Sequence, residues 1–174
     1  MSNGTKKTFQ DIIFDTCILN YNGNPQIFPQ LNTYYLDLLK RQFILAISEI
    51  TIFELLQDAT IKKEREAINI LSFFKTYQIN SKLLIAAAQL STLYKEERIP
   101  NQQISTSDKI IGATAILTGS LILTADVNDF PRPFFQEAEE KLLVYKDKNR
   151  TKMLALQLLG PNQTVITERF SQRP

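Results

Sequence analysis

Residues 107–130 read SDKIIGATAILTGSLILTADVNDF, and this stretch decides the fold. Ser107–Thr118 predicts a helix, and Gly119 is its natural stop because glycine accepts the left-handed backbone that ends helices. Leu121–Thr124 follows as a short apolar strand, and Asp126 and Asp129 come directly after it. A helix feeding a parallel strand runs antiparallel to it. Asp108, which opens the helix, therefore lies at the same sheet edge as Asp126, which follows the strand.

The same alternation extends outward. Asp11–Asp15 (DIIFD) reads as a buried strand ending in an acid, and Phe43–Ile47 as a second. Helices are expected over Leu31–Arg41, from Ser48 as N-cap to about Ala59, over Ile61–Tyr77 and over Ser81–Arg98. Tyr21–Pro29 and Ile99–Thr106 read as loops, and a short strand is expected around Tyr77–Ile79. Leu142–Tyr145 adds a strand, whereas Met153–Leu159 reads equally as a strand or a short helix. Strands alternating with helices imply an α/β fold of three layers, a mainly parallel sheet with helices on both faces. The expected division is a flexible tail over 1–8, one domain over 9–146 and an extension of open structure over 147–174.

Four acids from distant segments then meet at one edge. Asp15 ends the first strand, where an open parallel sheet places its ligand crevice. Glu54 lies six residues past Ser48, about 9 Å down its helix and within reach of that edge. With Asp108 and Asp126 they form a cluster that is electrostatically costly alone, since two carboxylates about 4 Å apart repel by roughly 4 kcal/mol at an effective dielectric near 20. Such a cluster takes up protons or binds a hard divalent cation. Each acid also has an ordinary alternative: Asp15 as a strand-end acid bonded to a loop amide, Asp108 at a helix dipole, Asp126 and Asp129 as turn or cap residues.

Composition narrows the chemistry. The 174 residues contain no histidine and one cysteine, Cys17. Histidine-based triads and general bases are excluded, as are histidine- or cysteine-rich zinc sites and an internal disulfide. Oxygen ligands point to Mg²⁺ or Mn²⁺, and such an ion works on phosphates, so phosphodiester hydrolysis suits the arrangement. No apolar run approaches the roughly 20 residues of a membrane span, and a cytoplasmic location is expected. The formal net charge of +2 says little about partners.

These residues resemble the PIN-domain nucleases, especially the VapC toxin ribonucleases of VapBC toxin–antitoxin pairs. Ile12-Ile13-Phe14-Asp15-Thr16 is similar to the family's first strand, and Ser48–Leu55 to its second motif. Ser107–Ala115 resembles the third motif, and Leu123–Phe130, with Thr124, Asp126 and Asp129, the fourth. The resemblance implies Asp15, Glu54, Asp108 and Asp126 as metal ligands, Asp129 as an outer acid, and Thr124 and Thr16 as hydroxyls that orient the carboxylates. It further implies RNA as substrate, a small antitoxin that blocks the crevice, and a homodimer. Cys17 departs from the pattern, since Asn commonly follows Asp-Thr in these toxins.

An RNA substrate needs cations near the acids. Arg132, six residues past Asp126, is the first candidate; Lys109, Lys146, Lys148 and Arg150 are the others, while Lys62, Lys63 and Arg65 read as a solvated helix face. Two competing readings are a housekeeping RNA-processing PIN nuclease and a non-catalytic α/β signalling or binding domain. In a phosphoacceptor receiver all the acids lie in strand-end loops, whereas Glu54 and Asp108 belong to helices here.

Overall fold

The computed structural model describes residues 11–57, 59–100, 103–148 and 150–171. The tail expected over 1–8 lies outside them. Six strands form one sheet in the order β3-β2-β1-β4-β6-β5. The strands β1 (Asp11–Phe14), β2 (Ile44–Ser48), β3 (Lys75–Tyr77) and β4 (Leu121–Thr124) pair in parallel. Strands β5 (Phe135–Asp147) and β6 (Arg150–Pro161) form an antiparallel hairpin, and β6 lies antiparallel to β4.

Helices cover both faces, as the alternation implied. Ile12 and Phe14 point into one apolar layer with Leu31, Tyr34 and Leu38 of α2 (Phe28–Lys40). Ile13 and Ile122 point into the other with Leu90 and Leu93 of α5 (Ser81–Glu96) and Ile111 and Ala115 of α6 (Thr106–Thr118). A central strand buried on both sides has no polar face, which is why β1 reads as an unbroken apolar run. Between these elements lie α1 (Thr16–Asn20), α3 (Glu49–Leu56) and α4 (Ile61–Leu71), and α7 (Gln163–Phe170) closes the chain. Among the described residues no helix is long and apolar enough to cross a membrane.

Local chemistry sets the element ends. Ser105 caps α6 in a reciprocal box with Asp108, and Gly119 ends it with φ 68°. The helix expected over Ile61–Tyr77 stops at Leu71, and the next segment joins the sheet as β3. Part of the segment read as a loop before α2 is a 3₁₀ turn, Tyr21–Gly23, and α2 begins with Pro29 in its first turn. Met153–Leu159 resolves as strand, within β6. Leu154, Leu156 and Leu158 pack on the α2 side, and the ion pair Arg41–Glu139 at 2.7 Å ties α2 to β5.

Candidate active site

Asp15 is the first residue past β1 and is 3% exposed. Its Oδ2 accepts hydrogen bonds from the Thr124 hydroxyl at 2.7 Å and the Cys17 thiol at 2.9 Å. Thr124 ends β4 on the adjacent strand, and its Oγ1 also accepts from the Asp126 amide at 2.9 Å. One threonine thus links the acids of two strand ends. The Thr16 hydroxyl in turn donates to Glu54 Oε2, bringing α3 to the same edge. The departure at Cys17 leaves a polar contact in place, because the thiol substitutes as donor to Asp15. Burial first, and then the charge of Asp15, push that thiol up to about 12, so Cys17 stays protonated and acts as a donor rather than a nucleophile.

The remaining acids approach from other elements. The Asp108 carboxyl is raised by burial, and the charges of Asp15 and Glu54 raise it further, against the lowering effect of Ser105. Asp129 is pushed up to about 7, first by burial and then by Asp108, Asp126 and Asp15. Asp108 thus lies in the field of Asp15 and Glu54, and Asp129 in that of Asp108, Asp126 and Asp15.

Their ordinary roles are also present. Asp15 caps α1, Asp108 completes the α6 capping box, and Asp126 Oδ1 accepts from the Asn128 amide at 3.0 Å. Among the described residues no three Cys, Asp or Glu side chains gather tightly enough to form a ready-made metal cage. Each of Glu54, Asp108 and Asp126 holds one oxygen on a nearby protein donor, and the Lys109 ammonium offsets part of the charge of Asp108.

Two further observations bear on a cation. The two described buried side-chain oxygens without a hydrogen-bond partner are Ser48 Oγ and Tyr94 OH. Ser48 ends β2, and continuing the β1–β2 register places it opposite Asp15. Tyr94 is held in the α5 layer, and the charges of Asp108 and Asp129 raise its hydroxyl beyond the upward push of burial. Buried orphan hydroxyls usually mark a water or an ion site. With donors limited to carboxylates and hydroxyls, the set fits a hard divalent cation such as Mg²⁺ or Mn²⁺.

Neither hydroxyl role was legible from sequence. Ser48 does occupy the N-cap position of α3, but its side chain makes no cap bond. Tyr94 reads as one more apolar position of the α5 stripe.

A cleft of about 600 Å³ opens beside the acids, lined by Asp126, Asp129, Arg132, Glu137 and Gln157 among others. Asp15, Glu54 and Asp108 do not line it, so it approaches the cluster from the β4–β6 side. Arg132 is exposed there, as its spacing from Asp126 suggested. Lys109 is half-buried beside Asp108, and burial lowers its ammonium. Lys146, Lys148 and Arg150 are not at the acids; they stand at the far turn of the β5–β6 hairpin.

A family model described as PIN domain matches residues 12–133, ending before β5 begins. Three solved structures share the fold. The VapBC2 complex of Rickettsia felis, bound to a DNA fragment from its promoter, aligns at 21% identity and TM-score 0.57, over 69% of this chain and 90% of that one. A toxin–antitoxin complex from Klebsiella pneumoniae aligns at 24% and 0.54, over 70% and 92%. FitAcB from Neisseria gonorrhoeae aligns at 20% and 0.55, over 68% and 90%. No curated protein matches the chain.

Proposed function

The chain belongs to the PIN-domain family, and from that premise we propose that it is a divalent-metal-dependent endoribonuclease. The observation that carries the reading is the hydrogen-bonded sheet edge at which Thr124 joins Asp15 to the backbone of Asp126 and Thr16 holds Glu54. Asp108 and Asp129 are raised there first by burial and then by neighbouring acids, a repulsion that a bound cation would relieve. Asp15, Glu54, Asp108 and Asp126 are the proposed ligands of Mg²⁺ or Mn²⁺, with Asp129 as an outer acid. When bound, the ion supplies an activated water and charge for the negative phosphoryl oxygens of the transition state. The chain's own part is positional. Thr124 fixes Asp15 and the backbone of Asp126, and Thr16 fixes Glu54, so the carboxylates keep their orientation. Arg132, at the cleft, and Lys109, beside Asp108, are proposed to hold the substrate's phosphates.

Purified protein, freed of any inhibitor, is expected to cleave RNA in Mg²⁺ or Mn²⁺ and to lose that activity in excess chelator, recovering it on re-addition of the ion. Undiminished cleavage in chelator would sink the metal mechanism.

We propose further that the nuclease is the toxin of a toxin–antitoxin pair and works as a homodimer. Among the solved structures it resembles are a toxin–antitoxin complex and a VapBC2 complex, which supports a small protein partner. A segment that inhibits this site should place a basic side chain among the acids, supplying the missing positive charge. Purification from the native host is expected to bring down such a partner, and expression without it to slow growth. Neither outcome appearing would remove the toxin role and favour RNA processing, while the nuclease reading would stand.

A further inference from the structure

The β5–β6 hairpin begins beyond the residues that the family model matches, and it is longer than the sheet needs. Gln157 of β6 stands opposite Thr124, the last residue of β4. The hairpin continues past that edge to its turn, where Asp147 pairs with Arg150 and Lys148 takes φ 44°. The seven residue steps from Gln157 to Arg150 carry the turn about 23 Å beyond the end of β4, at about 3.3 Å per step. Because Thr124 bonds Asp15, that edge is the acidic site itself. The hairpin is therefore an arm that rises beside the carboxylates.

Its two faces differ. One carries Leu143, Leu154 and Leu156 and packs on α2. The other carries the opposed pairs Leu142–Ala155 and Val144–Met153, on the same face as Gln157 at the mouth of the cleft. Leu142 is 53% exposed, Val144 52% and Met153 72%, so among the described residues this apolar band is left largely open to solvent.

The tip is basic. Lys152 is paired with Asp147 at 2.5 Å, which neutralises the tip's one acid. Lys146, Lys148 and Arg150 are exposed and have no partner among the described residues. The sequence of surfaces is thus an acid cluster, a cleft, an apolar band and then three unpaired cations.

We propose that this arm is a second RNA-holding surface, which grips the phosphate backbone of a single strand through Lys146, Lys148 and Arg150 at a distance from the acids. It rests on the ribonuclease reading for the identity of the polyanion. A single strand matches both features, with phosphates for the tip and base faces for the apolar band. The consequence is a length requirement: only RNA long enough to run from the crevice to the turn engages both surfaces.

The test measures binding with chelator present, so that cleavage plays no part. Probes are single-stranded RNAs of about 4 and about 16 nucleotides, the range of single-strand site sizes. The wild type should bind the longer probe more tightly. The triple variant Lys146→Gln, Lys148→Gln, Arg150→Gln should lose about tenfold on the longer probe and little on the shorter. Its log–log salt slope should fall by about 2, for three lost phosphate contacts on a single strand.

The variant Lys62→Gln, Lys63→Gln, Arg65→Gln removes the same charge from exposed positions on α4 and should bind both probes like wild type. Thermal melts should show both variants folded, since all six positions are exposed. Equal loss on the two probes would reduce the tip to a general charge effect and overturn the proposal. Unchanged binding, or no RNA binding by the wild type, would overturn it also and leave the arm as a protein-docking surface. Tip-dependent binding without metal-dependent cleavage would keep the arm and remove the nuclease reading; cleavage with length-independent binding would do the reverse.

Discussion

Asp126→Asn is expected to abolish RNA cleavage almost completely while leaving the metal-free fold as stable as the wild type or slightly more so. The two halves of this result have separate causes. Asp126 Oδ1 accepts hydrogen bonds from the amide and the side chain of Asn128, each at 3.0 Å. An asparagine keeps an oxygen there, so the local turn survives. What it removes is a negative charge that acts on Asp129. Asp126 is exposed, so solvent and salt screen much of that repulsion, and the gain should not exceed about 1 kcal/mol.

Asp126→Ala separates the two roles, because it removes the acceptor as well and should cost about 0.5–2 kcal/mol, as for a lost cap. Mn²⁺ should raise the melting temperature of the wild type by mass action on the folded state and raise that of Asp126→Asn much less. Thermal melts with and without Mn²⁺, beside a cleavage assay, decide the matter. An Asn variant that is destabilised and still cleaves RNA would show Asp126 to be only a turn residue and the site misplaced.

The positions of Asp15, Asp108 and Asp126 at one sheet edge were legible because short apolar strands and one glycine stop fix where that edge falls. Gly119 adopts the left-handed conformation its position demanded, and β4 has the bounds read for it. Glu54 was legible through helix rise alone, from a helix start at Ser48 that holds in the structure.

The hairpin was not. The sequence joining β5 to β6 lacks the Asn-Gly or Asp-Gly pair that marks tight hairpins, and Lys148 takes the positive φ. β5 also fails to alternate cleanly, because a bulge between Glu137 and Glu139 shifts its register and its outer band is apolar yet exposed. The strand expected over Leu142–Tyr145 is the later part of β5, and the polar run Glu137–Lys141 hid its beginning. Without the full length of β5 and β6, Lys146, Lys148 and Arg150 read as neighbours of the acids, when they stand at the far end of an arm.

The metal-free protein is expected to lose stability as pH rises from about 4 to about 7, with Asp129 responsible for a separable part of the loss. In an unfolded chain an aspartate titrates near 3.9. In the fold, burial and the charges of Asp108, Asp126 and Asp15 push Asp129 up to about 7. Between those values the native state binds more protons than the unfolded state, so stability falls with rising pH. The penalty is absent below the unfolded value and complete above the folded one. Its slope stays below the roughly 1.4 kcal/mol per pH unit of a fully shifted proton, because the carboxyl keeps contact with solvent.

Asp108 moves in the same direction, so the wild-type profile is a composite. Subtracting the profile of Asp129→Asn isolates the one carboxyl. That variant should be more stable than wild type at pH 8 and nearly equal to it at pH 4. A cation that relieves the repulsion must displace the proton, so Mn²⁺ added at pH 7 in weak buffer should release acid, and its apparent affinity should rise from pH 5 to 8. Melts at stepped pH together with a proton-release titration measure both. Parallel wild-type and Asp129→Asn profiles, with no proton released on Mn²⁺ addition, would mean that Asp129 lies outside the field of Asp108, Asp126 and Asp15 and has no part in holding the ion.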